Sequence, residues 1–133
     1  MKKLADGPIH EFINNPAVKG REDKFIPAIA NVAAVLASWK LSLFAYEWLT
    51  KDGEIKSTLQ MSENIRAKRE SAEETLRSPV SLVRPILGLG LLDNVEFGAG
   101  KEIFLCLAAN GTTAIPVHIP KSQEAELQRF LSP

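Results

Sequence analysis

The stretch that decides the fold of this chain is Gly90-Leu-Leu-Asp-Asn-Val-Glu-Phe-Gly-Ala-Gly-Lys-Glu-Ile-Phe-Leu-Cys-Leu-Ala-Ala-Asn-Gly-Thr-Thr-Ala-Ile-Pro-Val-His-Ile119. It predicts a glycine turn over residues 98–100, a helix over residues 101–109 that stops at Asn-Gly, and a strand over residues 114–119. The first turn of such a helix carries backbone N–H groups without intrahelical partners, at the positive end of the helix dipole. A phosphate site is therefore the first function to test.

Apolar spacing, caps and turn residues predict the elements outward from this stretch. Ser62 is the expected cap of the clearest helix, and Asp-Gly at residues 52–53 indicates a turn. The further predicted elements are at most a short helix near residues 9–13, a helix over 25–37, a strand over 41–48, a strand or helix entry over 55–59, a helix over 62–77, a buried strand over 83–89 and a helix over 122–131. The pattern predicts an α+β domain over residues 38–133, with a small mixed sheet and flanking helices, preceded by an N-terminal helical extension over residues 1–37.

Composition narrows the function classes. The chain has 133 residues, with 16 Lys and Arg against 16 Asp and Glu, so it is not a general polyanion binder. A single cysteine, Cys106, excludes an internal disulfide framework and a multi-cysteine metal site, and it fits a reducing compartment. The uncharged run over residues 25–39 is too short to span a bilayer, which needs roughly 20 apolar residues. A buried helix is the favoured interpretation of that run, and docking on a membrane face is the alternative.

Four short pieces, in this order, resemble the ParB/sulfiredoxin-like fold. They are the apolar strand over residues 85–89, the turn Gly98-Ala-Gly-Lys101, the segment Leu107-Ala-Ala-Asn-Gly111 and the strand Ile115-Pro-Val117. The segment 41–49 and the helix 62–77 resemble the first strand and first helix of that family. The resemblance covers residues 40–120 and leaves the N-terminal third unexplained.

This resemblance implies a phosphate or nucleotide pocket at the start of the helix over residues 101–109. Sulfiredoxin chemistry is not expected, because Cys106 lies more than a turn inside that helix. Partition-type operator binding is not expected either, since no helix-turn-helix region follows. Small stand-alone members of this kind resemble plasmid fertility-inhibition proteins, which carry ATPase and DNase activities and block DNA transfer through type IV secretion. The resemblance thus implies inhibition of plasmid or T-DNA transfer, and a non-catalytic interaction module with a vestigial pocket is the alternative.

The predicted phosphate-binding residues are Gly98, Ala99, Gly100, Lys101 and Glu102. The turn is not a Walker A motif, because that motif needs glycine at position 95 and Ser or Thr at position 102. The turn is instead predicted to be a phosphate nest with one lysine, and a tight structural turn is the alternative. The expected ligand is ATP or another nucleotide.

Three carboxylates are candidates for phosphate-ester hydrolysis, which commonly uses a divalent metal or an oriented water. Glu47, Asp93 and Glu96 are the predicted catalytic residues, and Asp93 and Glu96 are the predicted ligands of Mg²⁺. Each has a plainer interpretation, as a surface carboxylate or a turn residue. His118 and Cys106 are expected to be structural.

The expected partners are nucleotide, DNA through local backbone contact, and type IV secretion components. The basic residues for DNA contact would come from the helix over residues 62–77, but its interleaved glutamates favour a self-paired, solvated face. The expected location is the bacterial cytoplasm, and peripheral contact with the inner membrane is the alternative.

Overall fold

The computed structural model describes residues 10–132. The helices are α1 (Val32–Trp39), α2 (Glu63–Arg77), α3 (Lys101–Ala109) and α4 (Glu124–Leu127). The strands are β1 (Phe12–Ile13), β2 (Phe25–Asn31), β3 (Leu82–Val83), β4 (Leu87–Leu89), β5 (Val95–Phe97) and β6 (Ala114–Pro120). This mixture confirms the predicted α+β class.

Three strand pairs make up the β structure of residues 10–132. The longest is antiparallel and runs between β2 and β6, from Phe25 opposite Pro120 to Asn31 opposite Ala114. The β4–β5 pair is antiparallel and the β1–β3 pair is parallel. The N–H of His118 donates to the carbonyl of Pro85 at 2.9 Å, so a single parallel bridge links β6 to the segment before β4.

The core lies between β6, α3 and the aromatic side chains of α1 and β5. Ile115, Val117 and Ile119 alternate along β6 and are all fully buried, as the period of a strand requires. The ring of Phe97 contacts Trp39 and Phe104 edge-on, with centroid separations of 5.1 and 5.0 Å. This packing fixes the start of α3 against the end of α1.

The predicted helix over residues 25–37 is wrong in its first half, which forms β2. Apolar residues recur there at helical spacing, but the seven-residue ladder with β6 decides the conformation. The helix begins only at Val32, where the Asn31 side chain accepts a hydrogen bond from the N–H of Ala34. The predicted short helix near residues 9–13 is also wrong where it is described, because Phe12–Ile13 forms β1, and residue 9 lies outside the described residues.

The proposed extension is therefore not helical over residues 10–31, apart from single 3₁₀ turns. Its first nine residues lie outside the described part of the chain. The boundary between residues 37 and 38 stays a prediction, although the β2–β6 ladder joins residues on both sides of it.

The predicted strand over residues 41–48 is wrong as well. That segment consists of turns and one turn of 3₁₀ helix over Ala45–Glu47, and Leu49 makes a single bridge to Ile55. The predicted strand over residues 83–89 is interrupted, because Pro85 has no N–H to donate to a ladder. The last predicted helix is reduced to the four residues of α4 between 3₁₀ turns.

The predictions for α2, α3 and β6 are confirmed. Ser62 caps α2 by accepting from the N–H of Ile65, and α3 spans Lys101–Ala109 as predicted. Across residues 10–132, no helix combines the length and apolar character needed to cross a membrane.

Candidate functional site

The predicted phosphate turn is pinned to the segment before β4. The N–H of Gly98 donates to the carbonyl of Ile86 at 2.7 Å, and the N–H of Ile86 donates to the carbonyl of Ala99 at 2.9 Å. Gly100 has φ +85°, and a Cβ atom at that position would lie 2.9 Å from the Cα of Pro85. Only glycine fits this left-handed position against a neighbouring backbone.

The turn presents free donors at the start of α3. The N–H groups of Gly100, Lys101 and Glu102 make no hydrogen bond to any residue within 10–132. A left-handed residue followed by a helical one turns successive N–H groups toward one concavity, which is the geometry of an anion nest. Together with the positive end of the helix dipole, this arrangement can hold a phosphate oxygen.

The lysine at this turn already has a partner. The Nζ of Lys101 lies 3.9 Å from Oε1 of Glu47 and 5.9 Å from the ring centroid of Trp39. Both charged side chains are about a quarter exposed, so the ion pair is a weak one. An incoming phosphate would compete with Glu47 for Lys101. Of the three predicted catalytic carboxylates, Glu47 is the one in contact with the turn.

Glu96 has a structural set of hydrogen bonds. Ser42 Oγ donates to its Oε1 at 2.8 Å, and Asn94 Nδ2 donates to its Oε2 at 3.0 Å. Ser42 Oγ also accepts from the N–H of Phe44 at 3.1 Å. The carboxylate therefore ties the loop after α1 to the loop between β4 and β5.

Asp93 lies in the turn between β4 and β5, at φ +59°. Its N–H donates to the carbonyl of Gly90, and its own carbonyl is 3.5 Å from Nη2 of Arg129. The strand β5 separates Asp93 from the turn at Gly98. Within residues 10–132, no three His, Cys, Asp or Glu side chains are grouped to bind a metal ion. The catalytic and metal roles of Asp93 and Glu96 thus stay predictions.

His118 is a buried structural histidine, as expected. Its Nε2 accepts a hydrogen bond from the N–H of Asn15 at 3.1 Å. Burial, and then the charge of Arg84, lower its pKa below the ordinary value of 6.5. His118 is therefore held neutral to bind the N-terminal segment.

Cys106 is fully buried in α3, as expected. Burial is the main cause that raises the pKa of its thiol to about 12, and Glu73 adds to it. Its Sγ is 3.7 Å from the carbonyl of Arg69. A thiol in this state is not a nucleophile, which argues against sulfiredoxin chemistry at this residue.

The basic face of α2 is partly used inside the molecule. Arg69 forms a 3.0 Å ion pair with Glu73 and also donates to the carbonyl of Lys56 at 2.8 Å. The self-pairing expected on this helix is confirmed for these two residues, which lie four positions apart. DNA contact through this helix stays a prediction.

Sequence reasoning missed a second feature, at the loops that Glu96 joins. Large apolar side chains there point into solvent, beside three lysines. The residues are Leu41, Leu43, Phe44, Leu91 and Leu92, with Lys40, Lys51 and Lys56. The sequence does contain a signal for this feature, namely two short apolar runs at residues 41–44 and 91–92, each in a segment with turn residues. The first run was predicted to be part of the strand over residues 41–48.

Comparisons with known proteins define the fold. No protein-family model and no curated protein sequence matches this chain. Its structure is similar to the crystal structure of the oncogenic suppression activity protein, a plasmid fertility inhibition factor, with a TM-score of 0.60 and 12% sequence identity. The similarity covers 86% of this chain and 61% of that one. The two proteins share one α+β fold, and the predicted structural resemblance is confirmed.

Proposed function

We propose that this protein inhibits the transfer of plasmid DNA or T-DNA through a type IV secretion system, and that the start of α3 binds a phosphate group. The structural neighbour is a plasmid fertility inhibition factor, and its fold extends over 86% of this chain. We place the protein in the bacterial cytoplasm, where it would meet the DNA and the inner face of the transfer apparatus.

The observation that carries the phosphate site is the set of unpaired N–H groups at Gly100, Lys101 and Glu102, which have no partner within residues 10–132. Two hydrogen bonds to Ile86 fix the backbone of this turn, so the donors are oriented before any ligand arrives. A preorganised set of donors loses little entropy on binding. Lys101 adds one point charge, which can bind a terminal phosphate. It does not provide the bidentate hydrogen bonding that an arginine would give.

The ligand class that we propose is ATP or another nucleotide, or a phosphate of the DNA backbone. Glu47 and Glu102 place negative charge beside the turn, and a bound Mg²⁺ would offset their repulsion of a triphosphate. Hydrolysis of ATP or DNA would use Glu47 to orient water, with Asp93 and Glu96 as metal ligands. This finer step requires the loop between β4 and β5 to approach the turn.

A second candidate is a non-catalytic interaction module of the same fold. The hydrogen bonds of Glu96 to Ser42 and Asn94 favour it, because they engage both carboxylate oxygens in joining two loops. In this alternative the protein would act on a secretion component by contact alone, and phosphate binding would be absent or incidental.

Titration of ATP and CTP, with and without magnesium, tests the phosphate site. Lys101→Ala should weaken nucleotide binding by about fivefold or more, since a charged hydrogen bond is lost. Lys19→Ala is the matched control, because Lys19 is an exposed lysine outside the turn. Unchanged affinity in the Lys101→Ala protein would reject the site.

A mating assay tests inhibition separately. Expression of the wild-type protein in donor cells should lower the number of recipients that acquire the plasmid. If Lys101→Ala abolishes nucleotide binding but still inhibits transfer, the interaction module is correct. ATPase and nuclease assays with Asp93→Asn and Glu96→Gln proteins test hydrolysis, and activity that neither change alters would count against the assigned residues.

A further inference from the structure

The two loops joined by Glu96 enclose an apolar groove of about 450 Å³. Leu43 is 85% exposed on one side, and Leu91 and Leu92 are 104% and 71% exposed on the other. Phe44 and Leu41 extend the first side, at 60% and 57% exposure. Scattered exposed leucines are ordinary, but a contiguous patch of this kind marks an interaction site.

The groove is held open by polar contacts beneath it. Ser42 and Asn94 bind opposite oxygens of Glu96, and the N–H of Gly90 donates to the carbonyl of Asn94 at 2.7 Å. A Cβ atom on Gly90 would lie 2.7 Å from Cγ of Glu96, so glycine is required there. These contacts fix the two loops relative to each other, so the groove exists before a ligand arrives.

A basic cleft adjoins the groove and shares Leu41 and Ser42 with it. The cleft encloses about 490 Å³, and Lys40, Lys51 and Lys56 line it without any carboxylate among the lining residues. None of the three lysines forms an ion pair with a residue in the described part of the chain. The cleft is therefore complementary to a negatively charged group.

We propose that the groove and the cleft together bind an amphipathic acidic segment of a partner protein. Its apolar side chains would fill the space between Leu43 and Leu92, and a carboxylate would lie among Lys40, Lys51 and Lys56. Apolar contact supplies affinity in such a site, and the charges supply orientation and specificity. The inference stands apart from the phosphate site, because neither feature uses the turn at Gly98–Gly100.

The local charges favour a protein segment over an anionic membrane. Asp93 follows Leu92 at the tip of one loop, Asp52 lies next to Lys51 in the same turn, and Glu54 follows that turn. A flat, negatively charged bilayer would meet these carboxylates together with the lysines. A peptide can instead place its own carboxylate between the lysines and avoid the acids.

The test uses two synthetic peptides of about 18 residues, a length that gives several helical turns. Both carry leucines at positions i, i+3, i+4 and i+7, as an apolar helix face requires, one with glutamates and the other with lysines beside that face. Binding is measured by fluorescence anisotropy. Amide shifts in NMR spectra of the labelled full chain report where the peptide binds. Binding to vesicles of phosphatidylglycerol tests an anionic membrane as the occupant of the groove. Sedimentation of the protein alone tests a second copy of the chain.

We expect the glutamate peptide to bind at least about tenfold more tightly than the lysine peptide, with shifts at Leu43, Leu91 and Leu92. Leu43→Asp and the double change Lys51→Ala with Lys56→Ala should each weaken binding by about tenfold. Leu59→Asp is the matched control, because Leu59 is 90% exposed and does not line the groove.

Three results would overturn the proposal. The first is equal affinity for the two peptides, or binding of neither. The second is tighter binding to phosphatidylglycerol vesicles than to the glutamate peptide, lost in Leu43→Asp. The third is a dimer of the wild-type protein that Leu43→Asp dissociates.

Discussion

Glu47 holds the lysine at the start of α3, with 3.9 Å between Oε1 of Glu47 and Nζ of Lys101. Trp39 lies beneath that lysine, 5.9 Å from Nζ to the ring centroid. The turn that resembles a phosphate site thus contains its own competing anion. One substitution therefore tests two roles of Glu47, because loss of the carboxylate should change nucleotide affinity through Lys101 and should change hydrolysis only if Glu47 orients water.

The first prediction concerns Glu47→Gln. If the turn binds phosphate, neutralising Glu47 frees Lys101 and removes a repulsive charge, so nucleotide affinity should rise about two- to fivefold, the range expected for a weak ion pair. Calorimetric titration of ATP measures the change, with Glu54→Gln as control because Glu54 is an exposed carboxylate outside the turn. Unchanged or weaker binding would contradict the competition. Loss of hydrolysis at saturating ATP would assign Glu47 a catalytic role in addition.

The second prediction concerns Gly100→Ala, which should lower the free energy of unfolding by about 2–4 kcal/mol through left-handed strain and contact with Pro85. Gly20 has φ +83°, and a Cβ atom added there would meet nothing within 4 Å, so Gly20→Ala isolates the strain alone. It should cost about 1 kcal/mol. Urea denaturation measures both, and equal costs would mean that Pro85 moves aside.

The elements that sequence reasoning predicted correctly depend on local signals. Ser62 caps α2, a glycine turn opens α3, and alternation along β6 buries Ile115, Val117 and Ile119. Each of these signals lies within a few residues of sequence. The segment that forms β2 has apolar residues at helical spacing, and only pairing with a strand about ninety residues later makes it extended.

In the candidate site, too, local features could be predicted from the sequence and contacts between distant residues could not. The glycine turn and its lysine were found, because the motif is contiguous. The environment of the carboxylates was not, since the hydrogen bond from Ser42 to Glu96 joins residues 54 apart in sequence. The apolar groove was missed for a related reason: the loops that form it come together only in the folded chain.

The third prediction concerns Glu96→Gln. The new amide can keep its oxygen on Asn94 Nδ2 and turn its N–H₂ group toward Ser42 Oγ, which must then accept instead of donate. Hydrogen bonds to a charged carboxylate are thereby exchanged for weaker neutral ones, so the free energy of unfolding should fall by about 1 kcal/mol. A double-mutant cycle with Ser42→Ala should show coupling between the two sites. Asp93→Asn, at an exposed side chain, should have little effect on stability. A Glu96→Gln protein as stable as the wild type would show that the carboxylate is free for another role.

The fourth prediction concerns pH and His118. Its pKa is lowered in the folded state, so below the ordinary value of 6.5 the unfolded chain binds a proton that the folded chain does not. Stability should therefore fall as the pH drops below 6.5, and level off once the folded-state pKa has been passed. His118→Gln should remove this part of the pH dependence. The His10→Gln protein, which retains His118, is the control, and the same slope in both variants would contradict the assignment.

The fifth prediction concerns the reactivity of Cys106. With its pKa raised to about 12, the thiol stays almost entirely protonated at pH 8, and the thiolate is the reactive form. Full burial in α3 also keeps reagents away. Ellman's reagent should therefore modify the native protein only at the rate at which α3 opens, and should react within seconds once urea unfolds the chain. Adding ATP should leave the native rate unchanged or slow it. Rapid modification of the folded protein would mean that the thiol is accessible, and the exclusion of cysteine chemistry would then fail.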